Sequence, residues 1–179
     1  MTSAERCAAC VLVRAPSRDP AYIRKRMGQI SGIRWAHKIR GPDDYVIMFD
    51  VTDHAHLRYS IDQELRRLVE DRLIESTETM PIDPPPEDRI SVEERSPSGS
   101  SAFLFCKTDD ADPLPVIESF RRMSGVMVAF GLFGSVYSMF ALVRANTPDA
   151  LTDLIDRKLR LVPGVAKIDT RNVVQERET

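Results

Sequence analysis

Two short segments of this chain recur in the same order and at the same spacing. Ser31-Gly32-Ile33 leads into a strand-like stretch that ends at Gly41, and Ser124-Gly125-Val126 leads into another that ends at Gly134. Both pairs of landmarks lie 93 positions apart. Each copy continues through a second strand, a helix with apolar residues every three to four positions, and a closing strand at Thr77-Glu78-Thr79 or Ile168-Asp169-Thr170. A unit repeated in this way is expected to form two half-structures that bury each other. Residues 1–83 and 101–179 are therefore read as two repeats, each of a size that supports a small core. Residues 84–100 join them. This linker opens on Pro84-Pro85-Pro86, admits a short strand at Ile90-Ser91-Val92, and closes on a loose Ser/Gly run.

In the first repeat, residues 7–15 read as a strand, and Asp19-Pro20 starts a helix with proline where its missing N–H does no harm. Tyr22, Ile23, Met27 and Ile30 form its apolar side, and Gly32 ends it. Strands follow at about 33–40 and 45–51, joined by the turn Gly41-Pro42-Asp43-Asp44. Leu57, Ile61, Leu65 and Leu68 fall on one helical stripe, and the last strand runs from about Leu73 to Ile82. The second repeat has the same order: a strand at 102–108, a helix from Asp112-Pro113, and a hairpin of 126–133 and 136–143. Its second helix starts at Thr147-Pro148 and carries Leu151, Leu154, Ile155, Leu159 and Val162, and its last strand covers 165–174.

The order β-α-β-β-α-β predicts an α+β protein made of two ferredoxin-like units, each an antiparallel sheet with both helices on one face. The other sheet face is also apolar. Val126, Val128, Phe130 and Leu132 are expected on one side of their strand, with Met127, Ala129 and Phe133 on the other. Strands apolar on both sides are buried on both sides. The expected cover is the sister sheet, packed face to face in an α/β-barrel-like pair, or the same surface of another chain.

Charge excludes some functions. The net charge is −2, with the acidic excess in the linker (Glu87, Asp88, Glu93 and Glu94 against Arg89 and Arg95). Neither repeat has the basic surplus that phosphate neutralisation requires, and Arg24-Lys25-Arg26 reads as the wet face of a helix. No apolar run is long enough to span a bilayer, and the N-terminus lacks a secretory pattern, so a cytoplasmic location is expected. Cys7 and Cys10 form a C-x-x-C, but within a strand. Residues three apart on a strand face opposite sides, so the thiols diverge and neither a redox pair nor a metal site is expected. Cys106 reads as a small core residue.

These motifs, in order and twice, resemble the effector-binding domain of Lrp/AsnC transcription regulators. The resemblance rests on Gly41-Pro42-Asp43-Asp44-Tyr45-Val46-Ile47 and Thr77-Glu78-Thr79 in the first repeat. In the second it rests on Gly134-Ser135-Val136-Tyr137, Leu161-Val162-Pro163-Gly164-Val165 and Asp169-Thr170. It implies a small-molecule effector, typically an amino acid, bound between repeats or subunits. The implied binding residues are Gly41, Asp44, Thr77 and Thr79, then Gly134, Tyr137, Asp169 and Thr170. Tyr137 stands where the acid belongs, and Ile168 replaces the first threonine. Asp44 also fits a plain turn former, and the threonines fit plain strand residues.

The family's helix-turn-helix finds no room before the first strand, so direct nucleic-acid binding is not expected. The resulting expectation is a non-catalytic sensor without cofactor or metal, which joins itself or other proteins of the same fold. The alternatives are an enzyme on a small ferredoxin-like barrel, of monooxygenase or haem-associated type, a tandem ACT-like module, or a protein-only adaptor. In the enzyme reading His37 acts as a base or an axial ligand. His54 and His56 do not share a helix face.

Overall fold

Repetition of the element order carries directly into three dimensions. The computed structural model describes residues 6–15, 19–82 and 99–174. Residues 83–98, which hold most of the expected linker and the strand expected at Ile90–Val92, lie outside the described residues. The chain divides into two units, Met1–Pro85 and Pro86–Thr179.

The first unit contains β1 (Cys7–Arg14), α1 (Pro20–Met27), β2 (Ile33–Arg40), β3 (Tyr45–Val51), α2 (His54–Tyr59), α3 (Arg66–Glu70) and β4 (Ser76–Ile82). Its strands pair antiparallel in the order β4-β1-β3-β2. The second unit contains β5 (Ser100–Thr108), α4 (Leu114–Arg121), β6 (Val126–Gly131), β7 (Met139–Ala145), α5 (Pro148–Arg157) and β8 (Val165–Val173). Its order, β8-β5-β7-β6, is the same. The protein is α+β, with two ferredoxin-like units.

Local chemistry explains the helix starts. Asp19 accepts a hydrogen bond from the Tyr22 N–H, and Thr147 accepts one from the Ala150 N–H, each ahead of a proline in the first turn. The helices cover one face of each sheet. Ile23, Met27, Leu65 and Leu68 pack on Val11, Val13, Ile47 and Phe49 in the first unit. Ile117, Phe120, Leu154 and Ile155 pack on Leu104, Cys106, Ala141 and Val143 in the second. Residues of the opposite sheet face, including Cys10, Leu12, Val46 and Met48, and Phe103, Phe105 and Phe140, are buried as well.

Each repeated Ser-Gly landmark has a steric cause. Gly32 and Gly125 adopt φ of 83° and 93°, in the left-handed region that glycine alone enters freely. A Cβ on Gly32 would collide with Val51 Cγ1, and one on Gly125 would lie 2.7 Å from Leu154 Cδ2 and 2.9 Å from the Arg144 carbonyl oxygen.

Three features depart from expectation. The Ile33–Trp35 and Val126–Val128 segments are bulged, with register shifts against β3 and β7. Val126 therefore packs with the helix-side core, while Val128 and Phe130 face the other way. The second-unit hairpin is also wider than Gly134-Ser135, since β7 begins at Met139 and the Leu132 N–H bonds the Ser138 carbonyl at 2.9 Å. Finally, α2 runs into α3 through a π-helical segment, Ser60–Leu65, which adds a residue to the turn.

Ser60 is fully buried there, and its hydroxyl has no hydrogen-bond partner among the described residues. Ser60→Ala removes an unsatisfied polar group at little cost in volume. It is expected to raise stability by about 1 kcal/mol, read as a higher urea midpoint with an unchanged slope.

Candidate functional site

The three cysteines are buried and unbridged. Cys7 pairs with Val51 and Cys10 with Met48 on β3, so the two thiols lie on opposite faces of β1. Burial pushes the Cys106 thiol up to about 12 and raises that of Cys10 as well. Neither of these two offers a thiolate near neutral pH.

Asp44 sits at the start of β3 and ties three strands together. Its N–H donates to the Val13 carbonyl at 2.9 Å, its carbonyl accepts from the Ile39 N–H at 2.9 Å, and its Oδ2 accepts from the Ala15 N–H at 2.7 Å. Thr77 and Thr79 pair with Val13 and Val11 on the other edge of β1 and are exposed. Gly41 lies in the β2–β3 turn at φ 153°, and Gly134 lies at φ 68° in the wider β6–β7 connection. Val13 thus separates Asp44 from Thr77, and each is held by backbone pairing.

In the second unit the structure brings Tyr137 and Asp169 together. The Tyr137 hydroxyl donates to Asp169 Oδ2 at 2.8 Å, and Lys167 Nζ lies 2.9 Å from Oδ1 of the same carboxylate. Thr170 pairs with Leu104, and Asp169 pairs with Phe105, so these neighbours point to opposite sheet faces. Partial burial alone would raise the Asp169 carboxyl. Hydrogen bonds from Lys167 and Tyr137, with the charges of Lys167 and Arg171, outweigh it and hold the group below its usual range. Its anionic form therefore favours the folded state above the unfolded pKa of about 3.9, and that contribution is lost as pH falls through the lower folded value. Asp169→Asn is expected to give a shallower loss of stability on acidification below about pH 4, measured by thermal melts across that range.

Beside this pair lies a bank of rings on the sheet face opposite the helices. Phe140 sits 4.8 Å from Phe130, 5.5 Å from Phe103 and 5.4 Å from Phe105 between centroids, and Tyr137 sits 5.4 Å from Phe105. The Lys167-Asp169-Arg171 alternation was the sequence signal for the polar row beside it, and only Asp169 had been singled out.

The corresponding face of the first unit holds a different group. Trp35 pairs with Met48 and His37 with Val46, which places both rings among the non-helix residues of the sheet. Their centroids are 5.2 Å apart, and the Trp35 Nε1 and His37 Nε2 atoms are both shielded from solvent. An imidazole in apolar surroundings is suited to hold or move a proton.

No protein-family model and no curated protein matches this sequence. Among solved structures, the siroheme decarboxylase NirDL superposes with a TM-score of 0.68 at 8% identity, covering 96% of this chain and 72% of its own. An anthrone oxidase-like protein superposes with a TM-score of 0.60 at 9% identity, covering 97% of this chain and 93% of its own. E. coli AsnC reaches a TM-score of 0.42 at 18% identity, over 67% of this chain and 74% of its own. At these identities the likeness is one of fold. The expectation of a non-catalytic protein is nevertheless corrected here: NirDL and the anthrone oxidase-like protein, which match over nearly the whole of this chain, both carry enzyme names. No helix among the described residues is long and apolar enough to cross a membrane.

Proposed function

We propose that this chain is an enzyme that acts on a flat, largely apolar small molecule, with His37 as the proton-transferring group. The observation that carries the reading is the placement of His37. Its ring stands beside Trp35 on an apolar sheet face, with Nε2 out of reach of solvent. Water does not compete for a proton held there, and indole offers a surface on which a ring system stacks. Siroheme and anthrone, named for two proteins of similar fold, are both planar ring systems, which supports this choice of substrate class. In the second unit, Tyr137 and Asp169 form a polar pair beside an aromatic bank of their own, and the anionic Asp169 suits a donor rather than an acidic group.

The test is to incubate the full chain with iron uroporphyrin and, separately, with anthrone in air, following binding by absorbance and products by mass spectrometry. The expected result is saturable binding and conversion of at least one of the two. A chain that responds to free amino acids in a thermal-shift screen but converts neither ring compound overturns the reading.

A further inference from the structure

The two units differ at one place in a way that points to a ligand. In the first unit the Ser31-Gly32 turn is sealed by its own helix. The Ser31 N–H donates to Glu64 Oε2 at 3.0 Å, and the Ser31 hydroxyl lies 2.8 Å from His56 Nε2. Backbone bonds set the correspondence with the second unit. The Asp50 N–H donates to the Gly32 carbonyl as the Arg144 N–H does to that of Gly125, and the helix N-caps are Asp53 and Thr147. Counted from those caps, Ala150 stands where His56 stands, and Lys158, just past the end of α5, has the sequence position of Glu64 and lines the cleft beside the turn.

The consequence is an open cleft of about 480 Å³ in the second unit, with Ser124, Asn146, Ala150 and Lys158 in its wall. A methyl group replaces the imidazole that fills this space in the first unit. A cation replaces the carboxylate. Ser124 has no hydrogen-bond partner of the Glu64 kind among the described residues. Asp153 also lines the cleft, but its Oδ1 is paired with Arg157 Nε at 3.2 Å.

We propose that this cleft binds a small carboxylate, received by the backbone N–H and hydroxyl of Ser124 and countered by Lys158, where the first unit uses its own Glu64. A free N–H and a hydroxyl at one turn suit a carboxylate oxygen, and a nearby ammonium shortens and strengthens such bonds. The site is separate from His37 and does not depend on the proposed reaction.

Succinate titrated into the isotope-labelled full chain is the probe, with amide shifts as the readout and sodium chloride of equal ionic strength as the control. Saturable movement of the Ser124, Gly125 and Asn146 amides is expected. Lys158→Glu, at an exposed position, is expected to weaken binding about tenfold or more. The pair Ala150→His with Lys158→Glu, which rebuilds the plug of the first unit, is expected to abolish it. Lys158→Gln serves if the acidic variant folds poorly, with the same direction of effect. Shifts reproduced by sodium chloride, unsaturable shifts, or a dissociation constant unchanged by Lys158 substitution would overturn the proposal.

Discussion

Gly125→Ala is expected to destabilise the protein by about 3 kcal/mol, the sum of a backbone and a packing cost. At φ 93° an alanine incurs roughly 1–2 kcal/mol of left-handed strain. Its Cβ must also displace Leu154 Cδ2 at 2.7 Å and the Arg144 carbonyl oxygen at 2.9 Å. The leucine tip can turn, but the carbonyl belongs to β7 and receives no such freedom. Gly134→Ala separates the two costs. That residue also has a positive φ, of 68°, but a Cβ there meets nothing within 4 Å, so only the backbone cost of about 1 kcal/mol is expected. Urea unfolding of both variants checks this. Equal losses would mean that close approach at Gly125 contributes nothing.

His37→Gln is expected to reduce turnover of the ring substrate by about 10²–10⁴-fold, the usual contribution of a positioned acid or base. Binding should change little, because the apolar face and Trp35 remain. Glutamine keeps a polar tip of similar reach but cannot exchange a proton, so the pH–rate profile should lose the limb that His37 supplies. Parallel loss of binding and turnover would instead assign His37 a merely structural part in the sheet.

Much of the fold was legible because its signals are local. Asp19-Pro20 and Thr147-Pro148 state a helix start in the chemistry of two residues. Gly32 and Gly125 mark turns that no side chain tolerates, and a C-x-x-C inside a strand must diverge. The bulges were illegible for the opposite reason. Val126-Met127-Val128 reads as ordinary alternation, and only pairing with β7 shows that Val126 and Val128 occupy different faces. The π-helical segment was hidden likewise, since Leu57, Ile61, Leu65 and Leu68 make an apolar stripe with or without the extra residue.

The candidate site was legible in pieces. Tyr137 and Asp169 were named by resemblance alone, and the 2.8 Å bond between them is a long-range contact that the sequence does not show. Asp44 and the threonines of β4 were equally compatible with plain turn and strand chemistry, and the Asp44 carboxylate does accept a backbone N–H. Single residues therefore weighted the reading toward a regulator. The enzyme reading needed the side of β2 on which His37 stands, a property of the whole strand.

That side is decided by pairing with β3 beyond the bulge at Ile33–Trp35. Because consecutive strand residues alternate, one surplus backbone residue inverts the orientation of everything beyond it. Deleting Arg34 would only straighten the strand, leaving His37 opposite Val46, whereas deleting Ala36 would set His37 opposite Ile47 and turn it toward the helices. Loss of one codon, rather than exchange of any amino acid, is the genetic change to which the imidazole's placement is most vulnerable.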